Sequence, residues 1–412
     1  MSLSGQKDRL LSDYLEKAVE NRFFPGCVLS YGQPLAGTVN YLWTGYRGLS
    51  RDRLPVCPDL VYDLASLTKI VSTTFLLMLS VKEGLIELES KLITLNWPLP
   101  NEIKELKLID LLTHQSGLPA WRPYYLDKKL LDRPKLIEKI LNEPKIEKIG
   151  VETLYSDLNF ILLGFVLEEI WNKDLKSLFA EKIAGPLALL STGFRPNPLE
   201  LPVAPTEDGP RLGGPLDWPG VKVMGLVPLG RVHDDNAAFL GRAAGQAGLF
   251  GTGPEIWRVI VDWAKSYYQD SLPESSKDSS PDSSRDNSQE ISPEISPESL
   301  QDNIKNTSLI NSTINKAKIN QRSVGGLVDR YIIRDFLRQR PSPRGPLRAA
   351  GFDLGQGPIR GARGHLGYTG GSIWWDPDKD RAFVLLTNRV QPSARGSKME
   401  EFRRGLAELL WA

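Results

Sequence analysis

Residues 70–81 carry Ile70, Val71, Phe75, Leu76, Leu77, Met78 and Leu79, so that a helix here is apolar on nearly every side. Such a helix has no face to turn to water, and the rest of the chain must be built around it. Gly84 supplies a stop at its C-terminal end. Its other end opens on Ser66-Leu67-Thr68-Lys69, and the sequence predicts one helix running from there to Val81. A central helix of this kind puts a serine and a lysine on one face, one turn apart, at its head.

A chain of 412 residues is long enough to bury such a helix in one large domain or two. The pattern predicts a helix over residues 8–20, strands over 27–31 and 38–45, and largely helical structure over 106–185 with loops at 114–119 and 143–150. Residues 196–228 are rich in proline and glycine and read as irregular. A glycine-punctuated connection over 245–253 leads to a helix over 254–268. Strands are expected again over 364–370, 372–375 and 381–387, and a helix over 398–410 ends the pattern.

One segment cannot join this core. Residues 271–300 hold eleven serines, four prolines and seven acids, and no aromatic residue falls between 269 and 330. That composition buries too little apolar surface to offset the entropy of ordering it, so residues 270–321 are expected to form a disordered insertion in a surface loop. Fifty-one basic against fifty acidic residues give a net charge of +1, which argues against a nucleic-acid partner. The opening residues lack the apolar run and cleavage site of a secretory signal, and no stretch of about 18 uninterrupted apolar residues is present. The expectation is a cytoplasmic protein with no membrane span. Cys27 and Cys57 form neither a disulfide framework nor a metal spacing, and read as reduced thiols.

A serine hydroxyl is a poor nucleophile without a neighbouring base, and a lysine whose pKa is lowered at a helix N-terminus is one such base. The Ser-x-x-Lys spacing alone is unspecific, since Ser4-Gly5-Gln6-Lys7 fits it too. Context separates the two. Tyr155-Ser156-Asp157 follows a loop and leads into an apolar helix, and His365-Leu366-Gly367-Tyr368-Thr369-Gly370-Gly371 lies on an expected strand near the end. Taken by itself, Tyr155 reads as a core aromatic.

In this order the three segments resemble the Ser-x-x-Lys, Tyr-x-Asn and Lys-Thr-Gly motifs of the serine β-lactamase and penicillin-binding-protein superfamily, especially class C β-lactamases and their esterase relatives. Asp63-Leu64-Ala65, Leu111-Leu112-Thr113-His114-Gln115-Ser116-Gly117-Leu118-Pro119, Ala247-Gly248-Leu249-Phe250 and Leu386-Thr387-Asn388-Arg389 extend the resemblance over most of the chain. It implies an α/β (α+β) fold of the β-lactamase/DD-peptidase type, in which an antiparallel sheet flanked by helices is formed from both chain ends. The sheet part would cover about residues 1–60 and 245–412, and a mostly helical part about 61–215, within one catalytic domain. It also implies roles: Ser66 as nucleophile, Lys69 as its base, Tyr155 as proton carrier, and the backbone N–H groups of Ser66 and Tyr368 around the oxyanion. Gly367 would keep the strand edge clear for substrate. No cofactor and no metal are implied.

Three positions depart from the pattern. Asp157 replaces the usual asparagine, and its carboxylate would raise the pKa of Lys69 unless it points elsewhere. His365 replaces lysine and removes fixed positive charge, and Leu366 replaces a threonine that helps hold a substrate carboxylate. Thr369 is retained. The reading is a small neutral ester or amide as substrate, hydrolysed by a carboxylesterase or amide hydrolase. β-Lactamase or D-alanyl/D-amino peptidase activity, and a non-turnover penicillin-binding or sensing module, remain the alternatives. His114 reads as a loop brace, and His233 has too few ligands beside it for a metal. No Gly-x-Ser-x-Gly elbow or phosphate-binding glycine loop is present. The oligomeric state is open.

Overall fold

The structure is a computed structural model that describes residues 3–49, 53–95, 97, 99–207, 211–212, 223–224, 228–241, 243–269, 325–392 and 399–412. The insertion expected over 270–321 lies outside the described residues.

Alternating side chains explain how the sheet is covered. β1 (Gly26–Gln33) sends Cys27, Leu29 and Tyr31 to one face and Val28 to the other. β11 (Arg381–Thr387) does the same with Phe383 and Leu385 against Ala382, Val384 and Leu386. Both faces are apolar, so both need helices over them. On one face lie α1 (Leu3–Glu20) and the helix Met399–Trp411, which contribute Leu11, Leu15, Phe402 and Leu406. The other face packs on the main core.

The strands run in the order β2-β1-β11-β10-β9-β8, all antiparallel, with β2 at Thr38–Gly45, β8 at Asp353–Leu354, β9 at Arg363–Leu366 and β10 at Ser372–Asp376. Val28 faces Leu386 in this register, so the two ends of the chain close the sheet together. A smaller sheet, β3 (Tyr62–Asp63), β7 (Leu249–Gly251) and β4 (Gly193–Phe194), lies where the chain enters the apolar run. Two short strands, β5 (Arg211–Leu212) and β6 (Val223–Met224), pair with one another.

The apolar run is at the centre, as its composition demands. By length and hydropathy Ala65–Lys82 could cross a membrane, but 83% of it is buried in the core. It is not one regular helix, however. A 3₁₀ turn at Ala65–Leu67 leads into a π-helical stretch, Lys69–Thr74, and only Phe75–Lys82 (α2) is α-helical. Wide π turns are uncommon and concentrate where a side chain has to be aimed for function. Against them packs the second apolar helix, Asp157–Trp171, where Leu158 to Leu167 are all buried.

The expected strand over 364–370 ends early, at Leu366. Gly367 N–H donates to Gly371 O at 2.8 Å and Gly370 N–H to Gly367 O at 3.0 Å, which folds the segment into a turn. Gly370 has φ +115°, a conformation that suits glycine. The helix Arg330–Leu337, with Ile333, Phe336 and Leu337 buried, had no counterpart in the sequence reading.

Candidate active site

Ser66 sits in the 3₁₀ turn directly after Ala65, whose φ of +46° is in the left-handed region. A residue with a Cβ is strained there by about 1–2 kcal/mol, and such strain persists only where the surroundings hold it. Asp63 is what holds it. Its Oδ1 accepts the Ala65 N–H at 2.9 Å, its Oδ2 accepts the His233 N–H at 2.6 Å, and its carbonyl accepts the Thr369 hydroxyl at 2.7 Å. One buried aspartate therefore ties the serine turn to the turn after β9 and to the segment around His233. Leu64 N–H also donates to Leu249 O, and Leu249 N–H to Thr68 Oγ1, which seats the serine turn on β7.

Three elements converge on the Ser66 hydroxyl. Lys69 Nζ lies 3.0 Å from Oγ, and the Tyr155 hydroxyl lies 2.9 Å from it. Lys69 is 0% exposed, and its other two N–H bonds go to Asp157 Oδ1 at 2.7 Å and to the Gln246 carbonyl at 3.1 Å. Asp157 is the first residue of its helix and points straight at the lysine. Burial disfavours the ammonium, but the Asp157 carboxylate and then Tyr155 more than offset it, and the Lys69 pKa is pushed up to about 12. Lys69 therefore rests as an ammonium at neutral pH. A raised lysine pKa is the effect the sequence reading attached to an aspartate in the asparagine position, and it makes Lys69 a poorer base.

Tyr155 is positioned by the His114 segment. Leu154 N–H donates to His114 O at 2.9 Å, and Ser156 N–H donates to His114 Nδ1 at 3.0 Å. The His114 ring packs on Tyr155 with centroids 4.7 Å apart, and burial drives its pKa well below the usual value. His114 braces the tyrosine, as the loop reading expected. The ammonium of Lys69 and the guanidinium of Arg348 lie 5.0 and 5.5 Å from the Tyr155 ring centroid. Burial nevertheless raises the phenol pKa, the largest effect on it, with Lys69 pulling the other way.

The segment after β9 closes the site. His365 is buried, its Nδ1 2.8 Å from Leu366 O, and burial lowers its pKa to about 4, so it is neutral at pH 7. Leu366 is partly exposed. A Cβ on Gly367 would stand 2.9 Å from Leu64 O and 3.5 Å from Leu67 Cγ. The glycine thus makes room for the Leu64 carbonyl of the serine turn. Tyr368 is 51% exposed, with the Arg389 guanidinium 4.7 Å from its ring and Arg389 Nε donating to its carbonyl at 2.7 Å. Thr369 donates its hydroxyl to the Asp63 carbonyl. His233 pairs with Glu207 at 3.1 Å and stacks near Tyr368. Among the described residues, no three His, Cys, Asp or Glu side chains are grouped to hold a metal ion.

The motif residues Ser66, Lys69, Tyr155 and Asp157 thus meet in one hydrogen-bonded cluster, with the 365–368 segment beside it. Sequence reasoning missed Asp63, Gln246 and Arg348. Asp63 carried a signal, an aspartate two residues before the N–H it captures, which is an Asx-turn pattern. Gln246 acts through its carbonyl, which no side-chain motif reveals.

The chain is similar to known proteins in sequence and in fold. The family model described as Beta-lactamase matches residues 35–408. A putative D-alanyl-D-alanine carboxypeptidase of Escherichia coli O157:H7 is 32% identical over 216 residues, 48% of this chain and 49% of that protein. The chain spans about half the length of the curated relatives it matches. EstCE1, a hydrolase with promiscuous acyltransferase activity, superposes with a TM-score of 0.65 at 16% identity, over 100% of both chains. The D-amino acid amidase of Ochrobactrum anthropi SV3 does so with a TM-score of 0.64 at 15% identity, over 98% of each. At these identities the two structures speak for the fold.

Proposed function

Because this chain belongs to the β-lactamase family of serine hydrolases, we propose that it cleaves small esters or amides through an acyl-enzyme on Ser66. The observation that carries this is the double hydrogen bond to Ser66 Oγ, from Lys69 at 3.0 Å and Tyr155 at 2.9 Å, at a strained turn. Lys69 and Tyr155 both rest protonated, so attack follows loss of the Tyr155 proton; the base is then the phenolate, which the Lys69 ammonium favours and burial disfavours. Ser66 Oγ attacks the carbonyl carbon while its proton passes to the Tyr155 oxygen. The carbonyl π pair moves to oxygen, which is met by the Ser66 and Tyr368 N–H groups. Collapse expels the leaving oxygen or nitrogen, which takes the proton from Tyr155. Water then attacks the acyl-enzyme, giving its proton to Tyr155, and Ser66 regains a proton as the acid leaves. Each oxyanion donor is worth about 10²–10³ in rate.

The substrate reading rests on what the 365–369 segment lacks. His365 is neutral, Leu366 has no hydroxyl and the Thr369 hydroxyl is committed, so these positions offer nothing to an anionic group. An ester or amide without a carboxylate beside the scissile bond fits them best. One observation favours a second reading, a D-alanyl carboxypeptidase: the Arg389 guanidinium beside Tyr368 is a cation on the oxyanion side. The test offers the protein a p-nitrophenyl acyl ester, a chromogenic cephalosporin and a D-alanyl peptide, beside Ser66→Ala and Lys69→Ala. Ester turnover lost in Ser66→Ala supports the first reading, and preference for the peptide supports the second. No turnover and no covalent mass shift with a fluorophosphonate probe would sink both.

A further inference from the structure

We propose that Arg403 is a positioning residue for this hydrolysis: from behind the turn after β9, its guanidinium holds and polarises the peptide whose N–H meets the oxyanion. This rests on the hydrolase reading above and adds to it a residue that never touches substrate. The peptide between Gly367 and Tyr368 carries the Gly367 carbonyl and the Tyr368 N–H. It is trans, so the two point to opposite sides. Arg403 Nη2 donates to that carbonyl at 3.1 Å, and to the Gly371 carbonyl at 3.0 Å. A cationic donor on the carbonyl fixes the plane of the peptide. It also draws electron density from the N–H, which becomes a stronger donor to an anion in front of it.

The same two carbonyls hold the turn. Gly371 O accepts the Gly367 N–H at 2.8 Å, and Gly367 O accepts the Gly370 N–H at 3.0 Å. One nitrogen of Arg403 therefore bridges both ends of the turn. Its own place is set by the helix Met399–Trp411. The neighbouring Phe402 packs on Tyr14 and Phe24, with ring centroids 5.4 and 5.0 Å away, and the Tyr14 hydroxyl donates to the Phe402 carbonyl at 3.1 Å. A guanidinium on a helix seated in this way is a fixed support.

Charge carries the argument further. Among the described residues no carboxylate pairs with Arg403, and its buried Nε makes no hydrogen bond. Burial, and then the charge on Arg389, lowers its pKa to about 10, which still leaves a cation at pH 7. Arg389 Nε donates to the Tyr368 carbonyl at 2.7 Å. The peptides on either side of Tyr368 thus each have a guanidinium on their carbonyl. A negative charge developing in front of the Tyr368 N–H relieves the repulsion between these two cations. Their effect is therefore larger in the transition state than in the ground state.

The test measures kcat and KM for p-nitrophenyl acetate in the full chain and in Arg403→Met, Arg403→Gln and Arg403→Lys, each beside its thermal melt. Acylation and deacylation both pass through the oxyanion, so kcat should fall about 10-fold in the Met and Gln variants with KM little changed. Arg403→Lys should recover most of the loss, whatever the order of the melting temperatures. The tetrahedral state is read separately with 1,1,1-trifluoro-2-butanone. Ser66 Oγ bonds to its carbonyl carbon and gives its proton to Tyr155, while the π pair moves to oxygen; the Ki should rise in step with the loss of kcat. An unchanged kcat in a folded Arg403→Met, or a loss carried by KM alone, overturns this inference and leaves the acyl-enzyme on Ser66 standing. So does a kcat that tracks melting temperature across the variants. If Arg403→Met does not fold, the other pair decides, and Arg403→Lys no faster than Arg403→Gln overturns it too. Absence of Ser66-dependent turnover in the unaltered protein, with no fluorophosphonate labelling, overturns both.

Discussion

Lys69 carries its charge where water cannot reach it, and Asp157 is what makes that affordable. Both the ammonium of Lys69 and the phenol of Tyr155 have pKa values raised by that carboxylate. Tyr155 must lose its proton before Ser66 attacks, and removing the Asp157 charge makes that loss easier. The rate should climb through the alkaline range, and in Asp157→Asn the climb should move to lower pH; a kcat/KM profile against pH for an uncharged acyl ester reads it directly. A profile unmoved by the substitution would show that Asp157 does not govern the proton. Ala65→Gly addresses another residue-scale cost. Relief of the positive φ should stabilise the fold by about 1 kcal/mol in a urea melt.

At the scale of elements, the site exists because three segments share one tie. Ser66 and Tyr368, the two expected oxyanion donors, each adjoin a residue bonded to Asp63: Ala65 through Oδ1 and Thr369 through the carbonyl. Thr369→Val keeps the shape and deletes the second tie. We expect kcat to fall at least about 10-fold with KM little changed, and Thr369→Ser to restore it, because small misplacements of such donors are costly. A second element contact is equally tight. A Cβ on Gly245 would fall 1.9 Å from Phe160 O, so Gly245→Ala must displace the loop whose next carbonyl holds Lys69. It should destabilise the protein by about 1–3 kcal/mol or more in a denaturant melt.

These ties also mark where the sequence stopped being legible. Ser66, Lys69 and Tyr155 could be read because their chemistry lies in side chains at fixed spacings. The centrality of residues 70–81 could be read because an apolar surface has only one place to go. The π-helical turns at Lys69–Thr74 could not, since the groups that meet the Lys69 ammonium there, Asp157 and the Gln246 carbonyl, lie far along the chain. Nor could the close neighbour of Gly367, a carbonyl three hundred residues earlier in the chain.

At the scale of the whole molecule, Gln269 and Gly325 lie side by side. A Cβ on Gly325 would lie 3.1 Å from the Gln269 side chain, so the residues on either side of 270–324 are neighbours. Replacing 270–324 with a short Gly/Ser linker should therefore preserve a cooperative melt and ester hydrolysis. A broadened melt or lost turnover would show that the segment contributes to the core.

The pairing of Val28 with Leu386 has a consequence during synthesis. At about 5–20 residues per second, the ribosome delivers the partner of β1 tens of seconds after β1 itself has emerged. For that interval the β1–β2 hairpin has α1 against Cys27, Leu29 and Tyr31 but lacks β11 along its other edge. The helices that surround Ser66 are made in the meantime. Residues 365–368, which stand beside Ser66, are thus translated about three hundred residues after it.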